Sequence, residues 1–298
     1  MSEIIKKELE TPVFGFINNG NICYFNSLLQ CIINCKQIMY YLVNEHKPKN
    51  EIQEFFQTKF KNFVKMYNNE EIQQFKKETS IFSYELLKKI LNKYKHININ
   101  EQQSSSEFFL YLIEELDIEH YFKIKHKINI HCGNCKNIST KTDECFHFEM
   151  FCDNNLKDNK IDIDDFLYSV NIIDDYKCEK CNTVSKSMYE KQALNISKYF
   201  VIILNKYFNK VLIQFPNKFE LTVKNFENNQ NLENYIPKNY IWENISQIEH
   251  IGNLNSGHYI AICKRFDKIF NIDDNKVEIK NGKMEPSKNT YVVFFEEQ

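Results

Sequence analysis

Cys23 is the residue whose type and position most favour nucleophilic chemistry. It follows a polar turn, residues 18–21, and stands where an apolar helical pattern begins. The dipole of a helix stabilises a thiolate at its amino end. Asn18, in the same turn, carries a side-chain amide that could donate a hydrogen bond to an oxyanion. The unpaired cysteines elsewhere are interpreted as core thiols, which are common in protein interiors: Cys31, Cys35, Cys145, Cys152 and Cys263.

His258 is the candidate base for this thiol. It follows a short run of small residues and opens an apolar strand pattern, a junction where a side chain can face a cleft. A base in turn needs an acceptor for its second ring N–H. The next strand pattern ends at Asp273 and Asp274, and a hairpin would return either carboxylate to His258. Without the histidine, the two aspartates would be interpreted as a solvated turn.

Two Cys-x2-Cys pairs form a second constellation. Cys132 and Cys135 make the first pair, and Cys178 and Cys181 make the second. Four thiolates suit a closed, tetrahedral zinc site, which would be structural because no position stays open for a reacting water. The alternative is two unrelated pairs in a core. The matched spacing favours zinc.

Composition narrows the class of protein. The 298 residues include 38 Lys+Arg and 40 Asp+Glu, and this balance argues against a dedicated nucleic-acid binder. The apolar runs are far shorter than the roughly 20 residues that a membrane helix needs. The first residues, MSEIIKKELE, lack the apolar stretch of a secretory signal. We therefore expect no membrane association, and an intracellular location, cytoplasmic or nuclear, that keeps thiols reduced.

The elements that must position these residues fall into two halves. Helical repeats cover Tyr24–Cys35, Ile52–Tyr67 and Leu86–Tyr94, and a capping-box sequence at Ser104 begins a fourth helix. Alternating patterns after Glu119 predict strands near Phe122–Ile130, Phe146–Met150, Val184–Leu194, Tyr199–Leu204, Ile241–His250, His258–Lys264, Lys268–Ile272 and Tyr291–Glu296. Two polar segments, Asp153–Asp165 and Asn225–Asn239, are predicted loops. The pattern predicts an α+β fold, with helices first and an antiparallel sheet system after them.

Several motifs, in order, resemble those of one family. The segment Gly15–Gln30 looks like the Cys box of the ubiquitin-specific proteases, which are papain-like cysteine deubiquitinases. Gln102–Phe108 is similar to their QQD-x-x-E-F motif, and His250–Tyr259 is similar to their His box. Phe270–Asp274 and Tyr291–Glu296 resemble the closing strands, and the paired cysteines fall where the family's fingers subdomain holds zinc.

The resemblance implies a papain-like fold with a thumb, a palm and fingers. Residues 1–11 would be a short extension and residues 12–298 a single catalytic domain. The thumb would span about 13–118 and the zinc-stapled antiparallel fingers about 119–200, with the remainder mainly palm. The family hydrolyses the isopeptide or peptide bond after the C-terminal glycine of ubiquitin, so ubiquitin or ubiquitinated proteins are the expected partners of a monomeric enzyme.

The motifs also imply roles, position by position. Cys23 would be the nucleophile, His258 the base, Asp273 its orienting group and Asn18 an oxyanion donor. Three residues would bind substrate, namely Gln103, Ser104 and Tyr259. The paired cysteines would bind zinc.

The chain departs from the family pattern in places. Ser104 stands where the motif has an aspartate, which in relatives lies near the basic ubiquitin tail. The serine can still cap the helix, but the negative charge is lost. Leu204–Tyr207 reads LNKY where the family has LKRF, and the segment Asn205–Glu220 is short for the family's blocking-loop region. None of these three changes removes a residue expected to take part in catalysis.

Other functions stay open on the sequence. A protease for a ubiquitin-like modifier is compatible with Ser104, and a non-catalytic ubiquitin-binding module could share the fold. The presence of both Cys23 and His258 argues against the latter. A secreted papain-like protease would have a signal peptide and usually tryptophan where Tyr24 stands. Acidic residues around the paired cysteines argue against a nucleic-acid-binding zinc protein.

Overall fold

Helices dominate the first part of the chain. The computed structural model describes residues 13–151, 163–206, 212–223, 238–253 and 256–298. The helices are α1 (Cys23–Asn34), α2 (Lys36–Tyr40), α3 (Glu51–Asn68), α4 (Ile72–Leu91), α5 (Ser105–Glu115) and the short α6 (Asp164–Leu167). A π-helical turn (Tyr41–Glu45) follows α2, and a 3-10 turn (Glu119–Tyr121) follows α5. None of the helices in these ranges is long and apolar enough to cross a membrane.

Side-chain caps define where two of the predicted helices start. The Asn50 side chain accepts hydrogen bonds from the backbone N–H groups of Ile52 and Gln53 at the start of α3. At the start of α5 the Ser104 hydroxyl accepts from the backbone N–H of Glu107 at 3.5 Å. The predicted N-cap at Ser104 is therefore confirmed. These bonds satisfy N–H groups that a helix start leaves without partners.

The third predicted helix is longer than its sequence pattern. It begins at Ile72, well before the predicted stripe at Leu86, and it ends at Leu91, before Tyr94. Thr79 and Ser83 lie on its buried face. These polar residues interrupt the apolar repeat, so the first turns of α4 have a weaker helical pattern.

Two sheets make up the rest of the fold. The strands are β1 (Ile124–His131), β2 (Ile138–Cys145), β3 (Phe148–Phe151), β4 (Tyr168–Lys177), β5 (Val184–Ile196), β6 (Tyr199–Asn205), β7 (Lys218–Val223), β8 (Lys238–Asn253), β9 (Ser256–Arg265), β10 (Lys268–Asp273), β11 (Lys276–Lys280) and β12 (Thr290–Glu297). One sheet has the order β2-β1-β5-β4, and the other has the order β11-β10-β9-β8-β12-β6-β3 with β7 on β8.

The sheet system is almost entirely antiparallel, as predicted. The exception among the described strands is β3, which runs parallel to β6 with Phe148 opposite Ile202. The prediction of a purely antiparallel system is therefore wrong at this edge. Alternation of apolar residues marks the faces of a strand but does not encode its direction, which is why the sequence pattern missed it.

Some element boundaries also differ from prediction. Strands β2, β4, β7 and β11 were not predicted. Most of the two predicted loops, and the extension 1–11, lie outside the described residues. At their described ends, Asp164 and Asp165 begin α6 and Asn239 belongs to β8, so these residues are not loop. The shortened segment after Asn205 falls partly outside the described residues, and its described part includes the start of β7.

Helix α1 is buried on every side. It packs between the other helices and strands β8 to β10, and all of its residues are buried. Its buried side chains include a stripe of amides at four-residue spacing, Asn26, Gln30 and Asn34. We call this stripe the polar seam. Such burial is tolerated because each amide is hydrogen-bonded.

The polar seam docks α1 onto the sheet. The Gln30 amide donates to the backbone oxygen of Phe14 at 2.7 Å, and the Asn34 amide donates to that of Ile245 at 2.8 Å. The buried guanidinium of Arg265 donates to the side-chain oxygens of Asn34 and Gln30, both at 3.0 Å. These bonds join the helix that begins at Cys23 to the strand that carries His258.

Candidate active site and metal centre

Cys23 is the first residue of α1. The turn before it is shaped by Asn18, whose side-chain oxygen accepts a hydrogen bond from the backbone N–H of Ile22 at 3.1 Å. Gly20 lies in this turn with φ +96°, a conformation that glycine adopts without strain. Cys23 stands at the start of the helix, as the sequence predicted, and its side chain is buried.

Burial raises the pKa of the Cys23 thiol above its ordinary value of 9.0. The backbone N–H of Tyr259 opposes this by hydrogen bonding to the sulfur, whereas the negative charge of Asp274 adds to it. The net direction is upward, so the surroundings favour the thiol over the thiolate. A base must then take its proton before it can attack.

His258 and Asp273 form a short ion pair or hydrogen bond. Nε2 of His258 lies 2.6 Å from Oδ1 of Asp273, and each side chain is about 40% exposed. The two residues meet because β9 and β10 are hairpin partners, paired from Arg265 opposite Lys268 to Ala261 opposite Ile272. With Nε2 held by the carboxylate, Nδ1 is the ring atom left for proton transfer.

Asp274 faces a different partner. The amide of Asn26 donates to its Oδ1 at 2.7 Å, and the oxygen of the same amide accepts from the hydroxyl of the buried Ser83 at 2.6 Å. Burial raises the pKa of the Asp274 carboxyl, and the hydrogen bond from Asn26 and the nearby His258 oppose that rise. Asn18 also donates to this carboxylate.

The backbone of Asp274 is clamped as well. Its φ is +51°, in the tight turn that joins β10 to β11. Its carbonyl accepts from the backbone N–H of Phe16 at 2.9 Å. A Cβ on Gly15 would lie 2.3 Å from that carbonyl oxygen, so only glycine permits this approach. The turn that carries both aspartates is therefore tied to the segment leading into Cys23.

The thiol and the imidazole are not hydrogen-bonded to each other in this structure. Cys23 Sγ accepts instead from the side-chain amide of Gln102 at 3.8 Å and from the backbone N–H of Tyr259. Both partners belong to segments that flank the site, namely the loop before α5 and strand β9. The thiol of Cys23 and the imidazole of His258 are therefore held by a common framework rather than by a direct bond.

The residues expected to bind substrate lie close to this framework. The hydroxyl of Ser104 is 3.0 Å from that of Tyr291. Tyr259 stacks on His250 with ring centroids 4.4 Å apart, and its ring centroid is 6.2 Å from that of Tyr291. Gln103 is half-buried in the same loop as Ser104. Ser104 and Tyr259 are thus brought together around Tyr291, which the sequence analysis did not single out.

The four paired cysteines converge at one end of the four-stranded sheet. Cys132 and Cys135 lie in the turn between β1 and β2, and Cys178 and Cys181 lie in the turn between β4 and β5. Because β1 and β5 are neighbours, the two turns meet. All four Sγ atoms lie within 4.8 Å of one another.

The geometry of this cluster fits a tetrahedral metal site. The Sγ atoms of Cys132 and Cys181 are 3.9 Å apart, and those of Cys135 and Cys178 are 3.7 Å apart. Zinc–sulfur bonds of about 2.3 Å at tetrahedral angles place sulfurs about 3.8 Å apart. Backbone hydrogen bonding, first from Thr183, lowers the pKa of Cys181 to about 6. The cluster can hold a metal ion.

Both turns of the cluster share one backbone design. Lys136 donates from its N–H to the carbonyl of Cys132 at 3.1 Å, and Asn182 donates to that of Cys178 at 2.8 Å. Both donors have positive φ, +61° and +55°. A Cβ on Gly133 would lie 1.9 Å from the carbonyl oxygen of Lys186, so this position in the first turn requires glycine.

Comparison with family models shows which protein family this chain belongs to. The family model described as ubiquitin carboxyl-terminal hydrolase matches residues 14–295, nearly the whole chain. The chain belongs to the ubiquitin carboxyl-terminal hydrolase family. The resemblance to the ubiquitin-specific proteases noted in the sequence is thereby confirmed.

Curated relatives in this family are distant and much longer. Ubiquitin carboxyl-terminal hydrolase 36 of Drosophila mojavensis is 22% identical over 315 residues, which cover 95% of this chain and 26% of the relative. The protein of the same name from Drosophila melanogaster is 22% identical over 320 residues, covering 95% and 30%. The chain thus spans about a quarter to a third of the length of these relatives.

Solved structures in the same family share the fold. The SAGA Ubp8/Sgf11/Sus1/Sgf73 DUB module bound to ubiquitin aldehyde matches with a TM-score of 0.74 at 19% identity, over 98% of this chain and 70% of that chain. A yeast SAGA DUB module that carries an Sgf73 mutant matches with a TM-score of 0.69 over the same shares. The predicted α+β, papain-like class of this family member is confirmed.

The structure also adds residues that the sequence analysis gave no role. Gln102 contacts the thiol, and Asn26 with Ser83 holds Asp274. Asn26 has a signal in the local sequence. It is a polar residue in a mainly apolar helical pattern, and it begins the four-residue spacing of the polar seam. Gln102 begins the segment that resembles the QQD-x-x-E-F motif, although the sequence analysis assigned it no role of its own. Ser83 has no comparable signal, since its contact with Asn26 joins distant parts of the chain.

Proposed function

We propose that this protein is a thiol-dependent deubiquitinase, which hydrolyses the isopeptide or peptide bond after the C-terminal glycine of ubiquitin. The observation that carries the proposal is the His258–Asp273 pair at 2.6 Å beside the amino end of the helix that begins at Cys23. Membership of the ubiquitin carboxyl-terminal hydrolase family gives this arrangement its substrate class.

Each residue has a chemical role in the proposed reaction. His258 takes the proton of Cys23 through Nδ1, and the thiolate attacks the carbonyl carbon of the terminal glycine. Asp273 keeps the second ring nitrogen protonated and oriented. Asn18 and backbone N–H groups stabilise the oxyanion, a role worth roughly 2.7–4 kcal/mol per donor. The imidazolium then protonates the leaving amine, and water releases ubiquitin from the thioester.

The proposed architecture follows the family. Residues 13–118 form the thumb, 119–200 the fingers, and the remainder mainly the palm, after an extension at 1–11. Zinc is the proposed metal of the four-cysteine cluster because four thiolates at tetrahedral spacing suit it. The site has no open position, so the ion would join two hairpins and take no part in hydrolysis.

Ubiquitin is the proposed partner, bound by a monomer in the cytoplasm or nucleus. Gln103, Ser104 and Tyr259 are the proposed contacts for its tail. The neighbouring Ubp8 structures contain ubiquitin aldehyde or monoubiquitin, which supports this substrate class. No nucleic-acid or membrane partner is proposed.

Reaction with an activity probe tests the proposal. Ubiquitin with a C-terminal electrophile should form a covalent adduct with the wild-type protein, and the adduct should map to Cys23. The same electrophile on a ubiquitin-like protein is the second arm, and the Cys23→Ala variant is the control. Adduct formation with only the ubiquitin-like protein would assign the chain to that modifier, and absence of any adduct would contradict a catalytic role.

A further inference from the structure

Gln102 makes an unusual set of contacts for a loop side chain. Its amide nitrogen donates to the backbone oxygen of Gly257, and its amide oxygen accepts from the backbone N–H of the same residue at 3.0 Å. The same nitrogen lies 3.8 Å from Cys23 Sγ. One side chain therefore contacts the thiol of Cys23 and hydrogen-bonds to the residue immediately before His258.

The hydrogen bonds between Gln102 and Gly257 lie on an edge of β9 where no strand is paired with it. Strand β10 pairs with β9 only as far as Ala261, so the first residues of β9 extend beyond it. Alternate residues of a strand direct their backbone groups to the same side, which places Gly257 and Tyr259 in series with Ala261. Tyr259 directs its N–H to Cys23, and Gly257 pairs with Gln102. The side-chain amide of Gln102 thus makes the two hydrogen bonds that the backbone of a neighbouring strand would make with Gly257.

At this end of the hairpin, β9 is paired on one edge with β8, and Gln102 holds the other edge at Gly257. Gly257 lies opposite Gly252 in the β8–β9 pairing, so neither residue has a side chain to pack. Gly252 has φ +131°. A Cβ on Gly257 would lie 2.1 Å from Nε2 of His250, which excludes larger residues there. Glycine is conformationally permissive, so the hydrogen bonds from Gln102 help to fix the backbone next to His258 on the edge that faces away from β8.

We propose that Gln102 is a positioning residue, which fixes the strand segment carrying His258 relative to the thiol of Cys23. The inference rests on the proposed function, because it names what aligns the proposed base with the proposed nucleophile. No direct bond joins the two groups here, so their separation depends on the framework around them. Loss of the Gln102 amide leaves Gly257 held by β8 alone, so the imidazole can shift away from the thiol.

Two substitutions and a matched control test this role. Gln102→Ala removes all three contacts. Gln102→Glu keeps the size of the side chain and an acceptor for the N–H of Gly257, but it cannot donate to the Gly257 carbonyl or to the sulfur. The control is Gln57→Ala, since Gln57 is also partly buried and donates to two backbone oxygens, those of Leu42 and His46, both at 2.8 Å.

Two readouts separate positioning from other roles. The first is kcat and KM for a fluorogenic ubiquitin substrate. Misplacement of reacting groups by about 1 Å can cost on the order of 100-fold, so we expect kcat to fall roughly 10- to 100-fold in both Gln102 variants with KM nearly unchanged. The second is the rate of Cys23 alkylation by iodoacetamide against pH. We expect its midpoint to rise in both variants, because the thiol loses a hydrogen-bond donor and a well-placed base.

Each other outcome overturns the proposal. A raised KM with normal kcat would assign Gln102 to substrate binding, and equal effects in Gln57→Ala would assign it to general stability. A wild-type kcat and alkylation profile in both Gln102 variants would remove any role. If the wild-type protein fails to cleave ubiquitin, the proposed function fails, yet the alkylation profiles still decide whether Gln102 positions the Cys23 environment.

Discussion

Asn26 donates a hydrogen bond to Asp274 at 2.7 Å across 248 positions of sequence. Asp274 is thus bound to the helix that begins at Cys23, whereas its neighbour Asp273 is bound to His258. Adjacent residues near a strand end face opposite sides, and here the two carboxylates serve two different elements. The sequence left the choice between them open, and the geometry favours Asp273 as the orienting group.

The two aspartates should differ in their effect on the rate. We expect Asp273→Ala to lower kcat by on the order of 100-fold or more and to change the pH profile, because the imidazole loses the acceptor at Nε2. Asp274→Ala should lower kcat less. Steady-state kinetics across pH 5–9 would check this, and the reverse order of effects would transfer the orienting role to Asp274.

Removal of either member of the proposed Cys–His couple should abolish turnover. We expect no hydrolysis of a ubiquitin C-terminal fluorogenic substrate by Cys23→Ala or His258→Ala, because the reaction needs both the thiolate and its base. Ubiquitin binding, measured by calorimetry, should survive. Cys31→Ala is a control, since that thiol lies in the core of α1. Turnover by Cys23→Ala above the uncatalysed background would refute the nucleophile assignment.

The cysteine cluster should contain one zinc ion per chain. We expect its removal by a chelator to lower the melting temperature, because metal-binding energy at a structural site is folding energy. Cys178→Ser should reduce the metal content, whereas Cys145→Ser should not, since Cys145 lies outside the cluster. Elemental analysis and calorimetry would measure both quantities. Folded protein without metal, and with Cys132, Cys135, Cys178 and Cys181 freely titratable, would contradict the prediction.

His126 should make the fold acid-sensitive. Its ring is buried on β1 against Phe148, its Nε2 has no hydrogen-bond partner, and Nδ1 lies 3.8 Å from the sulfur of Cys145. Burial lowers its pKa from 6.5 to about 4, with Lys191 adding to the effect and Asp143 opposing it. The charged form is therefore disfavoured in the folded state.

The sign of the effect follows from proton binding. Between pH 6.5 and 4 the unfolded chain binds this proton more readily than the folded one, so stability from this residue is complete above pH 6.5 and declines as the pH falls. The loss is on the order of 3 kcal/mol at most. Urea unfolding at pH 7 and pH 4.5 should show a smaller pH effect in His126→Phe than in wild type. His96→Phe, at an exposed site, should behave like wild type, and an equal loss in all three proteins would exclude His126 as the cause.

Local sequence context identified the candidate catalytic and metal-binding residues, but not the residues that hold them in place. Cys23 and His258 each stand at a turn-to-element junction. Within each cysteine pair, only two residues separate the two cysteines, so all of these signals lie within a few residues of sequence. Gln102 and Gly257 are 155 positions apart, and Asn26 and Ser83 are 57 apart. Local periodicity carries no information about such pairs, because chain topology brings them together.

The strand pattern had a similar limit. Strand β9 was predicted because its buried residues, from Tyr259 to Cys263, make an unbroken apolar run. Strand β4 was missed although Val170 and Ile172 are apolar, because both are exposed and the acidic Asp174 and Asp175 follow. The apolar pattern of a strand identifies it most clearly where its apolar residues are buried.

The polar seam has an electrostatic consequence for the resting protein. Its first amide meets the carboxylate of Asp274 near the amino end of α1, and its last meets the guanidinium of Arg265 near the carboxyl end. These charges match the partial charges of the helix ends, so Asp274 competes with a Cys23 thiolate for the positive end. Because thiolates, not thiols, react readily with peroxides, we expect this competition to slow the oxidation of Cys23.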